Sequence, residues 1–304
     1  MSNIQILLLL LVAFGLPILL VLGILFYKNV YKMSRLRDLK SNVENNVNLF
    51  DLFSLFSPDE KSKYTETLIR LMKKTAVVTV LFDYPEHFIP VFQNKLLNDI
   101  NPNDYYVVRY MSKDEGIADE SYYYKFTYFR IRKFIKFIEE KILNNYDYFI
   151  LLDATDVAYV GGISNIDSIM TEYNCDILFG AERNLWPNTE YSHLHDKKNI
   201  STPYKFLNAG VFCAKPESYV KHIYNILERK LFGLCDQGNW QIEYLLNENI
   251  ELDYKNKLTL NTYLGKEDFI LEDSKIKFLT NEPIFVHDNG GYNDETIKIV
   301  DYFR

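Results

Sequence analysis

Two carboxylates follow an apolar run in the middle of the chain. Asp153 and Asp156 come directly after Tyr148–Leu152, a run of residues typical of a buried strand. Two negative charges this close are tolerable when a cation neutralises them, and oxygen ligands suit a hard divalent cation such as Mg²⁺ or Mn²⁺. Such a cation can also bridge a diphosphate. The pair therefore predicts a metal site, although aspartates after strands also serve as turn formers and helix caps.

A histidine near the end of the chain is the third candidate ligand. The run Pro283–Val286 leads into His287, which is followed by Asn289 and Gly290. A histidine at the end of a strand suits a metal ligand, and the residues after it suit backbone contacts to phosphate. A lone histidine is more often a hydrogen-bonded structural residue, so this assignment depends on where the fold places it.

Two further predicted strands end in residues that suit a ligand site. Glu182 and Trp186 follow the apolar run Cys175–Gly180, where both side chains could face a sugar. Asn208 opens an Asn-Ala-Gly step between apolar neighbours, and its glycine, Gly210, permits close approach of a ligand. These residues therefore join the candidate site.

Alternating strand and helix patterns position these residues. The predicted strands are Ala76–Phe82, Tyr105–Tyr110, Tyr148–Leu152 and Cys175–Gly180, and the predicted helices are Glu86–Leu97, Tyr122–Leu143 and Ile166–Tyr173. This alternation implies crossover connections, an α/β fold and a mainly parallel sheet flanked by helices. Because ligands bind beyond the carboxyl ends of the strands in such sheets, the candidate residues are expected at one edge.

Composition excludes several other classes of protein. A chain of 304 residues with 48% hydrophobic content can bury a large core. The formal net charge of -7 argues against nucleic acid as a partner, because such binders need surplus cations. The cysteines, Cys175, Cys213 and Cys235, lack the paired spacing of a zinc cluster or a disulfide framework.

The N-terminal part of the chain predicts a membrane anchor. Residues 4–27 are apolar apart from Gln5 and are long enough to cross a bilayer as one helix. We therefore predict a single-pass membrane protein with a stem at residues 28–74 and a globular domain at residues 75–304. Basic residues after the anchor favour a cytosolic globular domain, whereas the sequon at Asn199 would be usable only in a secretory lumen. The side of the membrane stays open.

Five segments, taken in order, resemble the glycosyltransferase domain of the lysyl hydroxylase and procollagen galactosyltransferase (PLOD-like) group, which glycosylates hydroxylysine. They are LLDATDV at Leu151–Val157, AERNLWP at Ala181–Pro187, FLNAGVF at Phe206–Phe212, DQ at Asp236 and Gln237, and HDNG at His287–Gly290. The resemblance covers roughly residues 75–304. It implies a GT-A-type nucleotide-diphospho-sugar transferase fold with a DxD-like motif, preceded here by the predicted transmembrane helix.

The resemblance also implies roles for individual residues. Manganese, or another divalent cation, would be coordinated by Asp153, Asp156 and His287. The implied nucleoside contacts are Thr79 and Val80, and the implied diphosphate contact is Lys125. Asn289 and Gly290 would approach the phosphates. Further implied donor-binding residues are Thr155, Asn208 and Gln237. Thr155 stands where the family can place an aromatic residue, and the basic residue expected shortly after HDNG is absent.

The implied reaction is metal-dependent transfer of a hexose, glucose or galactose, from a UDP-sugar to an acceptor hydroxyl. Hydroxylysine-like hydroxyls, other proteins, lipids and glycans stay open as acceptors. Asp236, which alone represents the family's acidic cluster, is the first candidate to orient or deprotonate the acceptor, and Glu182 is the second. Two alternatives stay open: a membrane-tethered binding protein that retains the fold but transfers nothing, and a metal-dependent phosphohydrolase.

Overall fold

The computed structural model describes residues 74–111, 131–196, 200–229, 235–264, 269–272, 275–278 and 281–289. The predicted anchor, residues 4–27, and the predicted stem up to residue 73 lie outside this part of the chain. Within the described residues, no helix combines the length and the apolar character that crossing a membrane requires. The chain divides into two compact units, and the second, Lys73–Leu97 with Pro102–Arg304, contains the elements described below.

The central element is a six-stranded sheet with the strand order β2-β1-β3-β6-β5-β7. In chain order, the described strands are β1 (Thr75–Phe82), β2 (Tyr105–Tyr110), β3 (Tyr148–Leu152), β4 (Val157–Tyr159), β5 (Ile177–Glu182), β6 (Phe206–Ala214), β7 (Ile250–Asp253), β8 (Thr259–Asn261), β9 (Phe269–Glu272), β10 (Lys275–Phe278) and β11 (Phe285–His287). β1 pairs in parallel with β2 and β3, and β5 pairs in parallel with β7. β6 is antiparallel to both of its neighbours, so the sheet is mostly parallel, as predicted, with one reversed strand.

A smaller sheet has three strands, of which the first, β4, follows β3 in the sequence. Its strand order is β4-β11-β8, with β11 antiparallel to β4 and parallel to β8. Residues 153–156 connect β3 of the large sheet to β4 of the small one. His287 is the last residue of the small sheet's central strand. The predicted ligands therefore lie where the two sheets are joined.

Helices flank the large sheet. They are α1 (Gln93–Leu96), α2 (Ile166–Tyr173), α3 (Ser192–Asp196), α4 (Pro216–Arg229) and α5 (Asp236–Leu246), together with helical residues 131–137 that continue into a π-helix at Ile138–Ile142. Aromatic side chains fill the space between helices and sheet. Tyr219 of α4 packs with ring centroids 5.0 Å from Phe149 of β3, 5.6 Å from Phe212 of β6 and 5.4 Å from Trp240 of α5. This buried cluster holds the strands that reach the candidate site.

The predicted helix at Glu86–Leu97 is wrong over most of its length, because only α1 forms. Proline lacks a backbone N–H and clashes with the preceding turn, so Pro90 interrupts helical hydrogen bonding. Tight turns replace the helix, with Phe88 donating to Pro85 and Gln93 donating to Pro90. The predicted helix at Tyr122–Leu143 is observed from residue 131, and its earlier part lies outside the described residues.

Candidate active site

Three predicted metal ligands converge at the junction of the two sheets. One ligand atom each of Asp153, Asp156 and His287 lies within 4.8 Å of the others. Nε2 of His287 is 3.4 Å from Oδ2 of Asp156 and 3.9 Å from Oδ2 of Asp153. Two ligands of one cation, each about 2.1 Å from it, lie at most about 4.2 Å apart. A small rotation of a carboxylate would therefore bring the three ligand atoms close enough to bind one cation.

Exposure differs among the three side chains. The imidazole of His287 is only 4% exposed, whereas the side chains of Asp153 and Asp156 are 41% and 34% exposed. The site is thus closed on the histidine side and open on the carboxylate side. A donor set of two carboxylates and one imidazole suits a divalent cation whose remaining positions are filled from solution.

Backbone hydrogen bonds fix the ligand positions. The N–H of Asp153 donates to the carbonyl of Gly210 at 2.8 Å, and the N–H of Asp288 donates to the carbonyl of Asp156 at 2.8 Å. The register of β4 and β11 pairs Val157 with His287. The loop that bears both aspartates is therefore tied to β6 on one side and to β11 on the other.

Gly210 of β6 makes room for two of the ligands. A Cβ added at Gly210 would lie 2.2 Å from Cε1 and 2.8 Å from Nε2 of His287, and 2.7 Å from Oδ2 of Asp153. These separations are far below van der Waals contact, which for two carbon atoms is about 3.5–4.0 Å. Gly210, the glycine of the Asn-Ala-Gly step, thus leaves the space that the His287 imidazole and the Asp153 carboxylate occupy.

The charges at the site influence one another. Burial acts to raise the pKa of Asp156, but the charge and hydrogen bond of His287 outweigh it and hold this pKa below its usual value. Burial acts to lower the pKa of His287, but the carboxylates of Asp156 and Asp153 outweigh it and raise this pKa above its usual value. The negative charge of the two aspartates therefore favours positive charge at the site.

Glu182, at the end of β5, is the centre of a buried amide network. Its Oε1 accepts from the side-chain amides of Asn208 at 3.2 Å and Gln237 at 3.1 Å, and its Oε2 accepts from Asn289 at 2.6 Å. Burial raises the pKa of Glu182 to about 7, although these three hydrogen bonds and His287 act to lower it. One carboxylate thus joins β5, β6, α5 and the segment after β11.

The Gln237 side chain extends this network to the backbone of Ala209 and Trp186. Its oxygen accepts from the backbone N–H of Ala209 at 3.1 Å, and its nitrogen also donates to the carbonyl of Trp186 at 2.7 Å. Gln241, one turn later on α5, donates to the same carbonyl at 2.7 Å. These contacts fix the backbone of Trp186, a residue that is 48% exposed.

Asp236 is partly buried and occupies the first position of α5. Its Oδ1 accepts from the backbone N–H of Gln237 at 3.1 Å. The position beside Gln237 places Asp236 at the same end of α5 as the network around Glu182.

Three of the remaining predicted donor-binding residues lie in the described part of the chain, and two lie outside it. Thr79 is buried, and its hydroxyl donates to the carbonyl of Leu152 at 2.8 Å. Val80 is also buried, and β1 continues beyond it to Phe82. Thr155 is exposed in the loop between the aspartates. Two predicted residues, Lys125 and Gly290, lie outside the described part of the chain.

Two residues at the site were not predicted from the sequence. Asn261, the last residue of β8, places its Oδ1 2.8 Å from Nδ1 of His287. Gln241 fixes the Trp186 backbone from within α5. Asn261 follows the run Leu258-Thr259-Leu260, which is short and contains a polar residue, so the strand-end rule applied to the other candidates had only a weak signal for it. Gln241 has no such signal.

Comparison with known proteins agrees with the geometry. A family model described as the PLOD GT domain matches residues 129–303. The matched range contains the three converging ligands and every residue of the Glu182 network. The mixed α/β architecture, with its mostly parallel central sheet, fits a GT-A-type fold. No curated protein matches the chain significantly.

Proposed function

Because the chain belongs to the PLOD GT domain family of glycosyltransferases, we propose that it transfers glucose or galactose from a UDP-sugar to an acceptor hydroxyl, such as that of hydroxylysine. In this proposal the reaction depends on a divalent cation, Mn²⁺ in the first instance, held by Asp153, Asp156 and His287. The observation that supports it best is the convergence of these three side chains from separate strand ends.

The chain's own residues would hold and orient the donor. The two aspartates supply negative charge on the open side, and His287 closes the buried side. The side chain of Asn289 is held by Glu182 and by the backbone N–H of Tyr263, which fixes the segment proposed to meet the phosphates. When bound, the cation supplies Lewis-acid stabilisation of the leaving diphosphate.

The acceptor step is assigned to Asp236. The acceptor oxygen forms a bond to the anomeric carbon, the bond from that carbon to the phosphate oxygen breaks, and UDP leaves. The acceptor proton passes to the carboxylate of Asp236, which lies partly exposed at the start of α5. A pKa of about 7 would also suit Glu182 for proton transfer, but both of its oxygens already accept hydrogen bonds from amides. We therefore assign Glu182 to holding the site together.

The test uses the whole chain with UDP-glucose and UDP-galactose, with and without Mn²⁺, and identifies the products. We expect Mn²⁺-dependent release of UDP, reduced about 100-fold or more by Asp153→Asn or Asp156→Asn because each removes a ligand charge. Asp147→Asn is the matched control, since Asp147 is an exposed aspartate that caps the backbone N–H of Lys74 at the other end of β3.

Each alternative function predicts a different product. Release of inorganic phosphate from the donor would support a phosphohydrolase and contradict sugar transfer. Binding of UDP-sugars without any turnover, with either sugar and with hydroxylysine peptide present, would support a binding protein that retains the fold. UDP release that is unchanged in both aspartate variants would contradict the metal assignment.

A further inference from the structure

Asn261 lies beside Nδ1 of His287, whereas Nε2 of the same ring faces the two aspartates. It is fully buried, and the parallel pairing of β8 with β11 places it opposite His287. Its Oδ1 is 2.8 Å from Nδ1 of His287, and its Nδ2 donates to the carbonyl of Ala181 at 2.9 Å. Asn261 thus joins His287 to β5 of the large sheet.

The bond to Ala181 decides which way the amide of Asn261 points. A carbonyl oxygen can only accept, so the NH₂ group of Asn261 must face Ala181 and its oxygen must face His287. That oxygen can only accept as well, so Nδ1 of His287 carries the hydrogen. The neutral imidazole then has its lone pair on Nε2, the nitrogen that faces both aspartates.

A second glycine makes room for this arrangement. A Cβ added at Gly180 of β5 would lie 2.9 Å from Nδ2 of Asn261 and 2.7 Å from Cγ2 of Thr259. Gly210 on the neighbouring strand makes room in the same way for the imidazole of His287. The amide and the ring that it supports therefore occupy space left by two glycines on adjacent strands.

We propose that Asn261 is the positioning residue that makes His287 a metal ligand, by fixing its tautomer and the orientation of its ring. The inference rests on the proposed function, because it takes His287 to bind the cation. An acceptor on Nδ1–H holds the ring in one orientation and makes Nε2 a stronger donor, and losing such an acceptor costs about 10–100-fold in metal affinity. Asn261 acts only through His287 and needs no contact with cation or substrate.

The test measures Mn²⁺ affinity of the whole chain without nucleotide, by the electron paramagnetic resonance signal of free Mn²⁺. Asn261→Leu keeps the branched shape but removes the acceptor, and we expect Mn²⁺ affinity to fall about 10–100-fold. Asn261→Asp keeps an acceptor opposite Nδ1 but sets a carboxylate oxygen against the carbonyl of Ala181, so we expect it to lose stability while binding Mn²⁺ more tightly than Asn261→Leu does. Asn249→Leu is the control, because Asn249 donates to Asp176 at the other end of β5.

The outcomes separate this inference from the proposed function. Wild-type protein that binds no Mn²⁺ would overturn both. Mn²⁺ binding that is lost in Asp153→Asn but unchanged in Asn261→Leu would overturn the inference alone.

A second measurement covers the case in which Asn261→Leu fails to fold. In nitrogen-15 NMR spectra of the wild type with Zn²⁺, the His287 signal, identified by its loss in His287→Gln, should show hydrogen on Nδ1. Hydrogen on Nε2 instead would overturn the inference.

Discussion

Substitution of Gly210 by alanine tests the geometry of the candidate metal site with a single methyl group. The backbone of Gly210 is outside the left-handed region, so alanine is conformationally allowed there and the effect is steric. The added Cβ would lie 2.2 Å from Cε1 of His287 and 2.7 Å from Oδ2 of Asp153. Ordinary carbon contact requires about 3.5 Å, so the imidazole must move by about 1.3 Å or β6 must shift.

The magnitude follows from that displacement. Moving a reacting or coordinating group by about 1 Å costs about 100-fold in rate, so we expect Mn²⁺-dependent UDP release to fall about 100-fold. Overpacking of a buried site costs about 1–3 kcal/mol of unfolding free energy, so the protein should stay folded but lose stability. Mn²⁺ affinity should fall together with the rate, because His287 and Asp153 are displaced together.

Three measurements on Gly210→Ala separate these effects: thermal unfolding, Mn²⁺ titration and UDP release. Ala214→Val is the overpacking control, because Ala214 is fully buried at the other end of β6. This control should also lose about 1–3 kcal/mol of stability while keeping Mn²⁺ affinity and UDP release. Gly210→Ala protein that binds Mn²⁺ and releases UDP like the wild type would refute the reasoning.

Two further predictions concern charge at the site. The carboxylates of Asp156 and Asp153 raise the pKa of His287, and the pKa of Asp156 is itself lowered. As the pH falls, Nε2 of His287 therefore takes up a proton before the carboxylate of Asp156 does, and this proton competes with the metal. Mn²⁺ affinity should therefore rise about tenfold per pH unit up to the His287 pKa and then level off. Calorimetric titration from acid to neutral pH checks this, and a pH-independent affinity would contradict it. Glu182→Gln places an NH₂ group against amide donors, so it should cost about 1–3 kcal/mol in urea unfolding, and unchanged stability would argue against the network.

The strand-end rule explains why much of the candidate site's arrangement could be predicted from the sequence. Tyr148–Leu152 is a local apolar signal, and Asp153 follows it in the sequence as in the structure. The same is true of His287 at the end of β11. Apolar runs and the polar residues that end them are close in sequence, so these features need no knowledge of tertiary structure.

Features that depend on strand pairing could not be predicted from the sequence. Asn261 meets His287 because β8 pairs with β11, and no local pattern specifies that pairing. The reversed direction of β6, and with it the contact between Gly210 and the imidazole, is likewise a tertiary property. Lys125 and Gly290 stay predictions, because they lie outside the described residues.

Pulsed electron paramagnetic resonance of Mn²⁺ bound to the whole chain with UDP tests the central claim most directly. The account predicts hyperfine coupling from phosphorus of the diphosphate and from one imidazole nitrogen, with the nitrogen coupling lost in His287→Gln. Phosphorus coupling without nitrogen coupling in the wild type would contradict the assignment of Asp153, Asp156 and His287 as the metal site.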